Sequence, residues 1–213
     1  MATAALFDVY AQRYDSWYLE HRLLAESEAE TVKAALGGEA PQPCLEVGVG
    51  SGFFASRVGC TYGVDPSPRM LSLALERGVE AALARGEALP VAPGSLSAVL
   101  VVVTICFADD PERLIAEAAR ALHSGGVMVA CIVPRDTPWG RLYRSRARLG
   151  HPLYSAARFY TVDEVERMTE KAGLLTEYKV ATLSYPPWGR HRLEKPHPPK
   201  GREGFVCIRA RKP

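Results

Sequence analysis

The chain has 213 residues, a net charge of +2 and 47% hydrophobic residues, the profile of a globular protein with a sizeable buried core rather than a disordered or fibrous chain. The charge is uneven: residues 1–133 carry nine Lys and Arg against sixteen Asp and Glu, and residues 134–213 carry seventeen against eight, which biases the ligands that approach each end. No apolar run approaches the ~20 residues of a membrane-crossing helix, and the N-terminus lacks the basic start and apolar stretch of a secretory signal.

In chain order, Phe7, Tyr10, Ala11, Tyr14 and Tyr18 recur at helical spacing and predict a first helix. A second follows through Leu24, Glu28, Val32 and Leu36 and stops at Gly37-Gly38. Strand and helix signals then alternate. Strands are expected at 44–47, 61–64, 79–84, 96–103 and 127–133, with helices at 52–58, from Ser67-Pro68 to about Arg77, and from Asp109-Asp110-Pro111 to Gly125-Gly126. The nearly unbroken apolar run 96–103 suits a central strand covered on both faces. A basic, aromatic-bearing segment covers 135–158. The capping box Thr161-x-x-Glu164 opens a helix to Ala172, and strands follow at 176–183 and 204–211. Between those strands lies a loop rich in proline and basic residues, 184–203. The alternation predicts an α/β fold: one doubly wound, Rossmann-like domain over 1–213 with a mostly parallel sheet.

The cysteines Cys44, Cys60, Cys106, Cys131 and Cys207 form no C-x-x-C pair, which argues against a zinc knuckle or a redox pair. Their odd number, without an export signal, predicts reduced thiols in a cytoplasmic protein.

Gly48, Gly50 and Gly52 occupy alternate positions directly after the first strand. Glycine there marks a tight turn where main chain comes close to a ligand that a side chain would hold off. The dinucleotide fingerprint would need a third glycine where Phe53 stands, and the Gly-Lys-Ser/Thr ending of a phosphate-binding loop is missing. Asp65, at the tip of the second strand, is placed to accept both hydroxyls of a ribose. Glu46, just before the turn, can order it or face an amino group.

These pieces resemble the class I S-adenosylmethionine-dependent methyltransferases, in particular the small members of ubiquinone and menaquinone biosynthesis. The matching stretches are Glu46-Val47-Gly48-Val49-Gly50-Ser51-Gly52; Gly63-Val64-Asp65-Pro66-Ser67 with Met70; Gly86-Glu87-Ala88-Leu89-Pro90-Val91; and Ala118-x-Arg120-Ala121-Leu122 with Gly125-Gly126. The resemblance covers residues 40–133. It implies a seven-stranded sheet with an antiparallel last strand and S-adenosylmethionine as the methyl donor. It also implies donor contacts from Glu46, Gly48, Gly50, Gly52, Asp65, Pro66, Met70, Gly86, Glu87 and Thr104. The aspartate that usually accepts from adenine is replaced by Arg85, which cannot accept a hydrogen bond.

The acceptor is expected beyond the tip of the fourth strand, at Thr104-Ile105-Cys106-Phe107. The tip lacks the Asn/Asp-Pro-Pro-Tyr/Phe motif of DNA amino methyltransferases. Residues 1–38 are expected as a helical cap contributing Tyr14, Trp17 and Tyr18. Residues 135–158 are expected as a lid contributing Arg141 and Tyr143, with Arg144 and Arg148 on the same face; a solvated lid face explains these arginines equally well. Tyr14, Trp17 and Tyr18 fit a packed core as well as a pocket, and Cys106 fits a packed thiol as well as an acceptor contact. Of the five histidines, His21 and His151 lie nearest these lids, but methyl transfer needs no dedicated base, so no catalytic residue and no metal ligand is assigned. The leading expectation is an enzyme acting on a small molecule, as a monomer or homodimer. The alternatives are a non-catalytic donor-binding subunit and an RNA methyltransferase using the basic half; five prolines in the basic loop argue against nucleic acid.

Overall fold

The computed structural model describes residues 2–213. Two helices come first: α1 (Ala2–Glu20) and α2 (Arg22–Leu36), the latter ended by Gly37 in the left-handed conformation with its N–H on Ala34 O. The strands are β1 (Cys44–Val47), β2 (Tyr62–Asp65), β3 (Glu80–Leu83), β4 (Leu96–Val102), β5 (Leu122–Ile132), β6 (Leu175–Thr182) and β7 (Phe205–Arg211). They form one seven-stranded sheet in the order β3-β2-β1-β4-β5-β7-β6. β7 runs antiparallel to both neighbours, and β1 to β5 pair in parallel. The doubly wound sheet with an antiparallel last strand is thus present.

The connecting helices are α3 (Phe53–Val58), α4 (Pro68–Glu76), α5 (Pro111–Ala121), α6 (Pro138–Arg148), the short α7 (Pro152–Ser155) and α8 (Val162–Lys171). Their starts follow the expected local chemistry. Ser67 accepts from Met70 N–H, Asp110 accepts from Arg113 N–H, and Thr161 and Glu164 close a complete capping box. β5 begins five residues earlier than its apolar run suggests. Helix α5 ends at Ala121, and the chain pairs Leu122 with Leu96 before passing through Gly125-Gly126.

β4 shows why the central run is apolar throughout. Ala98, Leu100 and Val102 join the cluster under α2 and α3, while Val99 and Val101 join the cluster under α5 and α8. Both faces are covered, so both sets are buried. The C-terminal tips of β1, β2 and β4 point to the same end, where the crevice opens.

The expectation of five reduced thiols is corrected. Cys44 is bonded to Cys60, and Cys131 to Cys207. The second pair sits directly opposite across the β5–β7 ladder. Separations of 16 and 76 residues carry no local spacing signal; the sheet brings the partners together. Cys106 stays a free thiol. Among the described residues, no helix is long and apolar enough to cross a membrane.

Candidate active site

After β1 the backbone turns sharply, and Gly48 N–H and Val49 N–H both reach Val64 O at 2.8 and 3.0 Å. Gly48, Gly50 and Gly52 all have positive φ, at 69°, 52° and 77°. They are glycine for different reasons. A Cβ on Gly48 would lie 2.3 Å from Thr104 Cγ2, and one on Gly52 would lie 3.0 Å from Ala74 Cα in α4. A Cβ on Gly50 would meet nothing within 4 Å. Only Gly50 therefore keeps open space clear. Gly48 makes room for the β4 tip, and Gly52 lets α4 close on the turn.

Asp65 ends β2 beneath that turn. Its Oδ2 accepts from Gly50 N–H at 3.0 Å and its Oδ1 from Ser67 N–H at 2.9 Å. Burial pushes its carboxyl up, partly offset by those two N–H bonds. Each oxygen keeps a lone pair for a ligand hydroxyl. Glu46 is 1% exposed and its Oε2 has no partner. Burial raises its pKa to about 8, against a bond from Ala55 N–H and with Asp65 adding to the rise.

A cavity of about 530 Å³ opens above these groups. Gly48, Gly50, Asp65 and Pro66 line its floor, and Met70, Gly86, Glu87 and Thr104 line its sides. Glu46 and Gly52, expected to touch a ligand, lie behind the turn instead. Glu46 is sealed under the backbone, and Gly52 is spent on packing.

Arg85 also lines the cavity, turned into an ion cluster: its guanidinium reaches the Asp109 and Glu87 carboxylates. Burial pushes Glu87 up, but N–H bonds at its own backbone and Asp110, and then Arg85, outweigh it and the net shift is downward. The sequence placed Asp109 and Asp110 together at a helix start; Asp110 caps α5 and Asp109 joins Arg85.

The other side of the cavity is aromatic. Phe7, Tyr14 and Phe107 line the same cavity, with Phe7 edge-on to Tyr14 at 5.5 Å and to Phe107 at 4.9 Å. Val103, with φ at 53°, is a branched residue held in the left-handed region at the β4 tip, where it lines this cavity. A smaller apolar chamber of about 50 Å³ shares Val103 and Phe107 and adds Cys106, Tyr143 and Tyr154. Burial pushes the Cys106 thiol up to about 12, so it stays protonated and is no base.

Three expected acceptor residues lie elsewhere. Tyr18 stacks on Phe53 at 3.9 Å and is core, and Trp17 stands edge-on to Tyr18 and His21. Arg141 is exposed and donates to Asp136 O, and lines neither the large cavity nor the small chamber. His21 faces Trp17, and His151 caps α7 beside Tyr154; neither lines the two cavities described above.

Asp8 was not singled out in the sequence, since its partners lie about sixty residues away. Its Oδ1 accepts from Ser67 Oγ and from Arg69 N–H, and Asp15 pairs with Arg77 at 2.8 Å. These contacts fix α1 along α4, Asp8 at its start and Asp15 at its C-terminal end.

A methyltransferase-domain family model matches residues 45–130, the span that builds the turn and Asp65. A crystal structure of an S-adenosylmethionine-dependent methyltransferase from Thermotoga maritima, a possible histamine N-methyltransferase, is 35% identical. It superposes with a TM-score of 0.92 over 99% of this chain and 100% of that one. The chain belongs to the class I S-adenosylmethionine-dependent methyltransferases. An uncharacterised protein of Mycobacterium tuberculosis is 39% identical over 94% of this chain and 71% of its own length. The demethylmenaquinone methyltransferase of Tropheryma whipplei is 29% identical over 79% of this chain and 81% of its own. S-adenosylmethionine is accordingly the methyl donor.

The geometry fits that donor. Gly50 leaves bare main chain, Asp65 offers two partly free oxygens, and Glu46 keeps an orphaned buried oxygen behind the turn.

Proposed function

We propose that this methyltransferase acts on a small-molecule acceptor, taken up next to the donor under α1, α6 and α7. The observation that carries the reading is the open cavity running from Gly50 and Asp65 to Tyr14 and Phe107. A filled or missing cavity would favour a donor-binding subunit without activity. The basic loop 184–203 supports an RNA acceptor poorly. It is folded onto the body through Ser184, Glu194 and Ser27, and through Trp139 Nε1–H on Tyr185 O, and is not a flat stacking surface.

In this reading Asp65 holds the ribose hydroxyls, and Gly48 and Gly50 pass beneath the sugar and amino-acid portions. Met70 and Pro66 border the adenine. Glu46 orders the turn from behind, held by its bond from Ala55 N–H. Backbone groups around Gly86 and Glu87 take the place of the adenine-accepting aspartate, since Arg85 is committed to Asp109. When bound, S-adenosylmethionine supplies a methyl group on a sulfonium: an acceptor lone pair forms the new bond as the C–S bond breaks and its electrons stay on sulfur. Phe7, Tyr14 and Phe107 exclude water and align the acceptor. Burial pushes the Tyr14 hydroxyl well up, so it stays neutral and serves for position rather than as a base.

Incubating the protein with a metabolite extract and isotope-labelled donor tests this. A small labelled product that Asp65→Ala fails to make supports the reading. Label that enters only RNA, or nothing at all, sinks it.

A further inference from the structure

Two segments rise at the end of the sheet where the crevice opens: 137–160, which follows β5, and 184–193, which leaves β6. β5 and β6 both run antiparallel to β7, and β4 runs with β5, so both segments start at the end that carries the β4 tip. They are joined there. Trp139 Nε1–H donates to Tyr185 O at 2.8 Å, and the Trp139 ring lies 5.7 Å from His191. From Trp139, α6 runs about 15 Å to Leu149. Ser155 Oγ–H donates back to Ala147 O at 2.9 Å and folds α7 onto that helix.

Together the two segments hold seven arginines and no Asp or Glu. Among the described residues none of the seven has a carboxylate partner, whereas Arg22, Arg77, Arg120, Arg209 and Arg211 elsewhere are ion-paired. Arg146, Arg148, Arg190 and Arg192 are exposed. The acids at the borders do not answer them: Asp136 gives Arg141 only its backbone oxygen, and Glu194 is held by Ser184. Two large apolar side chains stand among these charges. Leu149, next to Arg148, follows the last residue of α6 and is 85% exposed. Trp188, two residues before Arg190, is 76% exposed in a turn closed by Gly189 N–H on Pro186 O. Each stands at a tip, one a helix end and one a tight turn.

An anionic bilayer complements both features: its phosphates answer the arginines, and its head-group boundary takes apolar side chains, tryptophan above all. RNA would answer the arginines but leave Leu149 nothing to bury against. A folded protein would need two separate pockets at the right span. We propose that this face docks the chain on an anionic lipid bilayer, with Trp188 and Leu149 entering the head-group region and the arginines set against lipid phosphates. Tyr143 of α6 and Tyr154 of α7 line the small chamber beneath it, so docking sets the roof of that chamber against the lipid. The surface holds whatever the acceptor is.

The test is sedimentation of the whole chain with vesicles of phosphatidylcholine, alone or with about one third phosphatidylglycerol, together with tryptophan emission. The proposal expects binding to the anionic vesicles to be about tenfold or more tighter, and mostly lost in about 0.5 M salt. It expects a blue shift of emission on binding that Trp188→Ala removes, since Trp139 is already buried. Trp188→Ala with Leu149→Ala, and separately Arg148→Glu with Arg190→Glu, should each cut binding about tenfold or more. S-adenosylhomocysteine affinity should stay within about twofold in both pairs, which shows the fold intact. Equal binding to both kinds of vesicle overturns the proposal, as do no binding at all and binding that survives both pairs of substitutions. RNA bound tightly while anionic vesicles are not also overturns it and gives the face to nucleic acid. Failure of the wild type to bind S-adenosylhomocysteine strikes the methyltransferase reading alone.

Discussion

The two halves of the site are built from different materials. The donor half, between the β1 turn and α4, is main chain and carboxylate: positive-φ glycines, N–H groups on Asp65, and Glu46 sealed behind. The half we propose for the acceptor, between α1, α6 and α7, is built mainly of aromatic side chains, with the Arg146 cation acting on Tyr143 and Tyr154. Main chain is the same whatever side chains a sequence carries, so the first half suits a ligand that never changes. Rings and charges are set by side chains, so the second half is where we place specificity in this reading. Variants that strike one half should therefore leave the other working.

The largest effect belongs to Gly50. Valine there puts branches into the only open space above the turn, and calorimetry should find no donor binding while circular dichroism shows an intact sheet. Normal binding would mean that the turn is not the donor's seat. Next comes Glu28, a buried acid of α2, as a stability effect. As pH rises from about 4.5 to about 8, the unfolded chain loses the Glu28 proton and the folded chain keeps it, so folding stability falls across that window. Glu28→Gln should recover ~2–4 kcal/mol near pH 8 and almost nothing near pH 4, measured by denaturant melts. Equal shifts at both pH values would contradict a raised pKa at this position.

Asp65→Ala should weaken donor binding by ~1.5–3 kcal/mol through loss of charge-assisted hydrogen bonds, measured by calorimetry. Unchanged affinity would remove Asp65 from the donor's seat. The smallest effect belongs to Cys106, a neutral, packed thiol. Cys106→Ser should keep turnover within a few-fold, less than about 1 kcal/mol in the barrier. Complete inactivation would give the thiol a role that its protonation denies.

The same division explains what could be read from the chain. The donor half rests on local signals. Gly48-x-Gly50-x-Gly52 after an apolar strand, Asp65 at a strand tip, Ser67 before Pro68 and the Thr161–Glu164 box each lie within a few residues, where backbone sterics and capping operate. Spacing did not separate the three glycines. That Gly48 yields to Thr104 and Gly52 to Ala74 depends on elements that meet only in the folded sheet. The acceptor half rests on distant partners. Asp8 with Ser67 and Cys131 with Cys207 have no shared period to betray them. Arg141 was misjudged for the opposite reason: helical spacing shows that arginines share a face but not which way that face turns.

The central claim is that the β1 turn and Asp65 together seat the donor. A crystal structure of the chain with S-adenosylhomocysteine tests it directly. The account predicts the ribose hydroxyls on the Asp65 carboxylate and the sugar resting against the bare backbone of Gly50. The nucleoside bound elsewhere, or Asp65 turned from the ribose, would contradict it.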